Sequence, residues 1–173
     1  NDMSVASMAL GGLTKGATVL EMANAYSTIS NGGIYMTPKL YSKVIDKDGN
    51  EELVSDKTAK RVMKATTSYL LTSCLQSVVT SGTAAGSVKV GNMPTAGKTG
   101  DTNDDKDQWF IGYTPYYTIA CWNGYDQPKT VGRVYPYTSV RLFNTVMNAI
   151  SKNTPVKDFE KPDNRLVWID LLK

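Results

Sequence analysis

After Thr18, apolar residues recur at Val19, Met22, Tyr26 and Ile29, a spacing that predicts an amphipathic helix. Thr18-Val19-Leu20-Glu21 has the form of a capping box, in which threonine and glutamate side chains each accept from an otherwise orphaned backbone amide. Asn31-Gly32-Gly33 supplies the stop, because glycine tolerates the left-handed backbone of a helix end. A hairpin is expected next, with Leu40-Tyr41-Ser42-Lys43-Val44-Ile45 and Leu53-Val54 flanking the turn-rich Asp46-Lys47-Asp48-Gly49-Asn50. Ser55 or Asp56 is then expected to cap a short helix reaching Met63. A longer helix follows from about Ser68 to Thr80, with Leu70/Leu71, Cys74/Leu75 and Val78/Val79 spaced four apart. The small-residue run Ser81-Gly82-Thr83-Ala84-Ala85-Gly86 reads either as a plain connector or as a flexible lining for a cleft.

In the centre of the chain the period drops to two. Thr95–Gly100, Gln108–Tyr113 and Tyr117–Trp122 predict three strands, and their short connections favour an antiparallel meander. A helix near Ser139–Ile150, with Val140, Phe143, Val146/Met147 and Ile150 on one face, should pack across that sheet. The stretch from Thr154 to Asn164 is charged and carries proline, and Leu166-Val167-Trp168-Ile169 reads as a last short strand. There is no internal repeat and no interior linker, so the pattern describes one α+β unit.

Composition narrows the chemistry. A length of 173 residues suits one domain. A net charge of +3, scattered along the chain, gives no argument for a nucleic-acid partner. There is no histidine, which removes every Ser-His-Asp triad, Cys-His pair and histidine metal site from this chain. Acid–base work must fall to Lys, Asp, Glu or Tyr. Cys74 and Cys121 sit inside apolar runs and read as two buried free thiols. No stretch approaches the roughly 18 apolar residues of a membrane span. The opening residues lack signal-peptide character, and a start at Asn1 suggests processing or truncation.

Lys98-Thr99-Gly100 is the triplet with a specific chemical reading. Lysine brings a point charge and threonine a hydroxyl donor, while glycine lets a ligand approach the strand backbone, which suits a carboxylate-ended substrate. Taken alone, Lys98 is a solvated strand lysine. Asp101, Asp104, Asp105 and Asp107 around Lys106 read as a solvated hairpin loop rather than a cation site, and no metal or cofactor is implied. Trp109 and Phe110 read as core and cleft-wall packing. Tyr113, Tyr116, Tyr117, Tyr125, Tyr135 and Tyr137 fit a glycan groove or ordinary sheet packing equally well.

The context of the triplet adds a family. Ala96-Gly97-Lys98-Thr99-Gly100 followed by Asp107-Gln108-Trp109-Phe110-Ile111-Gly112-Tyr113-Thr114-Pro115 closely resembles the transpeptidase domain of class A (bifunctional) penicillin-binding proteins. Gly11-Gly12-Leu13, the Thr18–Tyr26 stretch, Asn31-Gly32-Gly33 and Val79-Thr80-Ser81-Gly82-Thr83-Ala84 resemble it too, in family order. The resemblance implies an α+β fold of the serine β-lactamase/transpeptidase type, a mainly antiparallel sheet covered by helices. It implies a serine acyltransferase that cross-links peptidoglycan stem peptides ending in D-Ala-D-Ala and is trapped by β-lactams. Lys98 would be catalytic in raising the positive potential near the reacting hydroxyls. Lys98 and Thr99 would bind the substrate carboxylate, Gly100 would permit approach, and the backbone N–H of Asp101 would donate to the oxyanion.

Two departures stand out. No serine lies three residues before any lysine, and the only Ser-x-Asn, Ser151-Lys152-Asn153, follows the triplet instead of preceding it. Residues 1–173 therefore read as the C-terminal portion of one transpeptidase domain. The upstream part, carrying Ser-x-x-Lys and Ser-x-Asn, would be its partner alongside stem peptides and β-lactams. The parent would also carry a peptidoglycan glycosyltransferase, anchored by an upstream segment at the outer face of the bacterial cytoplasmic membrane. Second, relatives usually carry Thr where Asp101 stands, an electrostatic mismatch for a carboxylate that Thr102 could partly offset. A non-catalytic ligand-binding or scaffolding module of the same fold, and more distantly a serine β-lactamase, remain the other readings.

Overall fold

The structure is a computed structural model describing residues 4–54, 58–132, 134–162 and 166. In chain order the elements are helices α1 (Val5–Leu10) and α2 (Val19–Ser30), strands β1 (Ile34–Met36), β2 (Lys43–Ile45), β3 (Glu51–Val54) and β4 (Ala59–Arg61), and helix α3 (Ala65–Thr80). Strands β5 (Ala96–Asp101), β6 (Asp107–Tyr113) and β7 (Thr118–Gly124) follow, then helix α4 (Thr138–Ser151).

Helix α2 starts at the expected capping box. The Thr18 amide donates to Glu21 Oε2 at 2.8 Å and the Glu21 amide donates to Thr18 Oγ1 at 3.2 Å. These bonds hold the Glu21 carboxyl below its usual range, chiefly through the Thr18 backbone amide. The helix ends before Gly33, whose φ of +83° takes the chain back toward Met63. A Cβ at Gly33 would collide with the Met63 carbonyl, so glycine is required there twice over.

That return overturns one expectation. Ser55 and Asp56 lie outside the described residues, and instead of a helix reaching Met63, residues 59–61 form β4, antiparallel to β1 with Ile34 opposite Arg61. The reason is long-range. Gly33 O accepts the amides of Val62 and Met63, so β1 offers an edge that pairs this segment before a helix can nucleate. The expected hairpin forms as β2–β3, with Leu40–Ser42 left outside its first strand and a register shift between Val44 and Ile45. Helix α3 begins a turn before Ser68 because Lys64 caps it without any side-chain hydrogen bond, leaving no start signal in the sequence. Leu166–Ile169, read as a last strand, falls almost wholly outside the described residues.

The central meander orders as β5–β6–β7, antiparallel throughout and without a register break. Helix α4 covers one face. Val140, Phe143 and Met147 pack on Phe110 and Cys121, and the Phe110 and Phe143 rings meet edge-on with centroids 4.7 Å apart. Val146 and Ile150, expected on the same face, stay half exposed on the outer side. Helices α2 and α3 cover the opposite face, where Leu75, Ala96 and Tyr113 gather Tyr26, Ile29 and Phe159. The inward side of α3 carries two hydroxyls, and both find partners: Ser68 donates to Ile29 O, and Thr72 Oγ1 lies 2.9 Å from the Tyr113 hydroxyl. The result is an α+β architecture with helices on both faces of an antiparallel sheet.

Of the two thiols, Cys121 is buried as expected, and burial pushes its thiol up. Cys74 is not. It lies on the outward stripe of α3 beside Leu70 and Leu71, all exposed, because a helix with apolar residues around much of its circumference buries one side of them.

Tyr113 yields a pH signature. Desolvation first, opposed by the Thr72 hydrogen bond, pushes its phenol up to about 12 from an ordinary value of 10.0. Between those values the folded protein holds a proton that the unfolded chain releases, so stability is full below about pH 10 and declines toward pH 12. Denaturant titrations should show a decline on the order of 2–3 kcal/mol across that window, largely removed in Tyr113→Phe, with a residue from Tyr26, whose phenol burial also pushes up.

Candidate active site

Strand β5 pairs with β6 along one edge only, from Ala96 opposite Tyr113 to Asp101 opposite Gln108. Its other edge is open among the described residues. Thr102 N donates to Asp107 O at 3.3 Å, toward β6. Amide direction alternates along a strand, so the N–H of Asp101 points to the open edge. Thr99 O points the same way and accepts the Lys98 ammonium at 2.8 Å. The strand thus presents the Asp101 amide and the Lys98 ammonium along the edge where a ligand could lie.

A groove of about 630 Å³ runs beside this strand. Lys98, Thr99, Gly100, Asp101 and Thr102 all line it, so the structure brings the sequence-predicted site residues onto one wall. Its remaining boundary includes Lys15, Met22 and Tyr26 and the tilted pair Trp109 and Trp122, whose ring centroids are 6.3 Å apart. Trp122 Nε1 donates to Asp107 Oδ1 at 2.9 Å, which pins the indole and one of the four aspartates. Lys106 pairs with Asp104 at 2.9 Å, in keeping with a solvated hairpin.

The unbroken β5–β6 register keeps Thr99 and Asp101 on the same face, with Lys98 and Gly100 on the other. Asp101 is exposed and has no charged partner among the described residues. Thr102 Oγ1 accepts the amides of Lys106 and Asp107 at 3.0 and 3.1 Å, which closes the β5–β6 turn. Thr99 has a partner that spacing did not reveal: Thr83 Oγ1, from the loop after α3, lies 2.7 Å from Thr99 Oγ1. The sequence offers this loop as a plain connector or, through its flexible backbone, as a cleft lining, and neither reading includes the Thr83 hydroxyl. A second concavity of about 420 Å³ lies apart from this strand, between the end of α2 and Lys157–Pro162.

Comparison with known proteins decides the family. Residues 1–148 match the penicillin binding protein transpeptidase domain model. The chain belongs to the penicillin-binding protein transpeptidase family. It is 39% identical over 159 residues to penicillin-binding protein 1A of Clostridium botulinum, covering 92% of this chain and 19% of that protein. It is 40% identical over 133 residues to penicillin-binding protein 1A of Neisseria meningitidis, covering 74% of this chain and 16% of the relative. The chain thus spans about a fifth of the length of these penicillin-binding proteins. The penicillin-binding protein PonA1 from Mycobacterium tuberculosis superposes with a TM-score of 0.70 at 28% identity, over 84% of this chain and 41% of that one. Penicillin-binding protein 1A from Haemophilus influenzae gives the same TM-score at 20% identity, over 84% of this chain and 28% of the other, which shows the shared fold.

Two glycines of the transpeptidase strand answer to different constraints. A Cβ at Gly97 would lie 2.7 Å from Phe110 Cζ and 3.0 Å from Ile111 O, forcing β5 away from β6. A Cβ at Gly100 would meet nothing closer than Trp109 Cβ at 3.4 Å, an ordinary contact. Gly97→Ala should therefore cost about 1–3 kcal/mol in denaturant unfolding, while Gly100→Ala should stay within about 0.5 kcal/mol of the parent.

Proposed function

We propose that this chain supplies the substrate-binding strand of a serine D,D-transpeptidase that cross-links peptidoglycan. The observation that carries the reading is the open-edged β5 with Lys98, Thr99 and an outward Asp101 amide along one groove, in a chain of this family. A stem peptide ending in D-Ala-D-Ala would place its terminal carboxylate at Lys98 and Thr99. The carbonyl under attack would sit near the Asp101 amide. An activated serine would bond to that carbonyl carbon and expel the last D-Ala as an amine. The acyl group would then pass to an amine of a neighbouring strand. Lys98 contributes charge at the carboxylate, and the Asp101 amide stabilises the oxyanion without reorganisation during the reaction.

The serine and its lysine are assigned to an upstream portion of the same domain. Large exposed apolar side chains support that assignment: Leu10 on α1 is 87% exposed, Leu20 on α2 52% and Leu70 on α3 48%. Such surface is characteristic of a face built to be covered. The parent would work at the outer face of the cytoplasmic membrane, anchored by a segment outside this chain. Among the described residues no helix is long and apolar enough to cross a membrane.

The test is intact-mass detection of a covalent adduct after full-length protein meets benzylpenicillin. A slowly released adduct supports the transpeptidase. Rapid turnover would mark a β-lactamase, and no adduct would mark a scaffold that kept the fold. In the same assay Lys98→Ala should lower acylation efficiency by about 1.5–3 kcal/mol, one charge-assisted hydrogen bond.

Asp101 should work against this chemistry. It shares a face with Thr99, and two like charges ~5 Å apart repel by roughly 1–3 kcal/mol at effective dielectrics between protein surface and water. Asp101→Thr should speed acylation by about tenfold. The gain should shrink as ionic strength rises. Second-order rates that stay flat would show the carboxylate of Asp101 turned away from the ligand.

A further inference from the structure

Thr99 does not stand alone on its strand. Its hydroxyl oxygen lies 2.7 Å from that of Thr83, which arrives from the loop after α3. Three features hold Thr83 in place. A Cβ at Gly82 would sit 2.8 Å from Val78 Cα, so only glycine lets the chain fold this tightly over the last turn of α3. Ala84 is fully buried, and its amide donates to Val78 O at 3.1 Å. The Tyr135 hydroxyl donates to Thr83 O at 3.1 Å from the far side.

Each threonine hydroxyl has one proton to give. If Thr99 donates to Thr83, it has no proton left for an anionic ligand. If Thr83 donates to Thr99, the Thr99 proton is free, and an oxygen that already accepts a hydrogen bond is the better donor. A carboxylate arriving at Thr99 selects the second arrangement. We propose that Thr83 is a positioning residue, orienting and polarising the Thr99 hydroxyl so that it donates to the substrate carboxylate. The inference rests on the carboxylate-binding reading of Thr99 and extends it to a residue on another element. Thr83 itself touches no substrate.

The test uses the full-length protein with benzylpenicillin and with its methyl ester, which lacks the anionic group. Thr83→Val should slow acylation by benzylpenicillin about fivefold, the loss of one net hydrogen bond, and leave the ester rate within about twofold. Thr83→Ser keeps the hydroxyl and should restore the benzylpenicillin rate. Thr83→Ala carries the same comparison where valine disturbs the loop. Equal slowing with acid and ester would show that Thr83 only packs the loop, and an unchanged acid rate would remove its role altogether. A parent protein that acylates with acid and ester equally fast would instead overturn the carboxylate reading of Thr99, and the role of Thr83 with it.

Discussion

A strand can offer one edge to a ligand only when its other edge is held, and here β6 carries that load. It pairs with β5 through six consecutive positions and with β7 through seven, so it is the strand that both neighbours depend on. Its side chains secure it from above and below. Phe110 points into the layer under α4, and Tyr113 into the layer under α2 and α3. Gly112 makes room for this arrangement, because a Cβ there would lie 2.8 Å from both the Phe110 and Phe143 rings. The open edge of β5 inherits its position from packing on the neighbouring strand.

The same frame explains how the groove combines opposite demands. Lys98 and the Asp101 amide lie along an edge that water reaches, whereas Ala96 and Gly97, earlier on the same strand, are buried. Within six residues β5 passes from core to solvent. The buried end holds the register, and the exposed end keeps its polar groups available. Charge is handled less evenly. Lys98 turns back onto its own strand at Thr99 O, while Asp101 has no cationic neighbour to balance it among the described residues.

Much of this was legible in the sequence where local chemistry is self-sufficient. The Thr18–Glu21 box, the β2–β3 hairpin and the alternating strands around Lys98 each state their conformation within a few residues, and the structure agrees. The errors fall where a distant partner decides. Residues 59–61 become β4 because β1 recruits them, an interaction between segments some 25 residues apart that no local signal announces. Cys74 looked buried because the apolar pattern of α3 covers more of the helix than one neighbouring layer can bury. That Lys98 and its neighbours line one groove was readable as a candidate site, since residue type and flanking motif lie together. Thr83 was not, because its relation to Thr99 spans 16 positions and exists only after α3 has turned back on the sheet.

The closure of the β5–β6 turn has a consequence for how this surface can change over time. Thr102 Oγ1 accepts two amides across the base of the turn, so strands β5 and β6 are tied together before the chain reaches its tip. Residues 103–105 lie beyond that tie, where the Asp104 and Asp105 carbonyls accept from Thr130 and Val131 of the segment after β7. A change of charge at the exposed Asn103 or Asp104 therefore leaves the registration of Lys98 and Thr99 unaltered. The turn beside the groove can diversify in charge while the strand that lines the groove stays still.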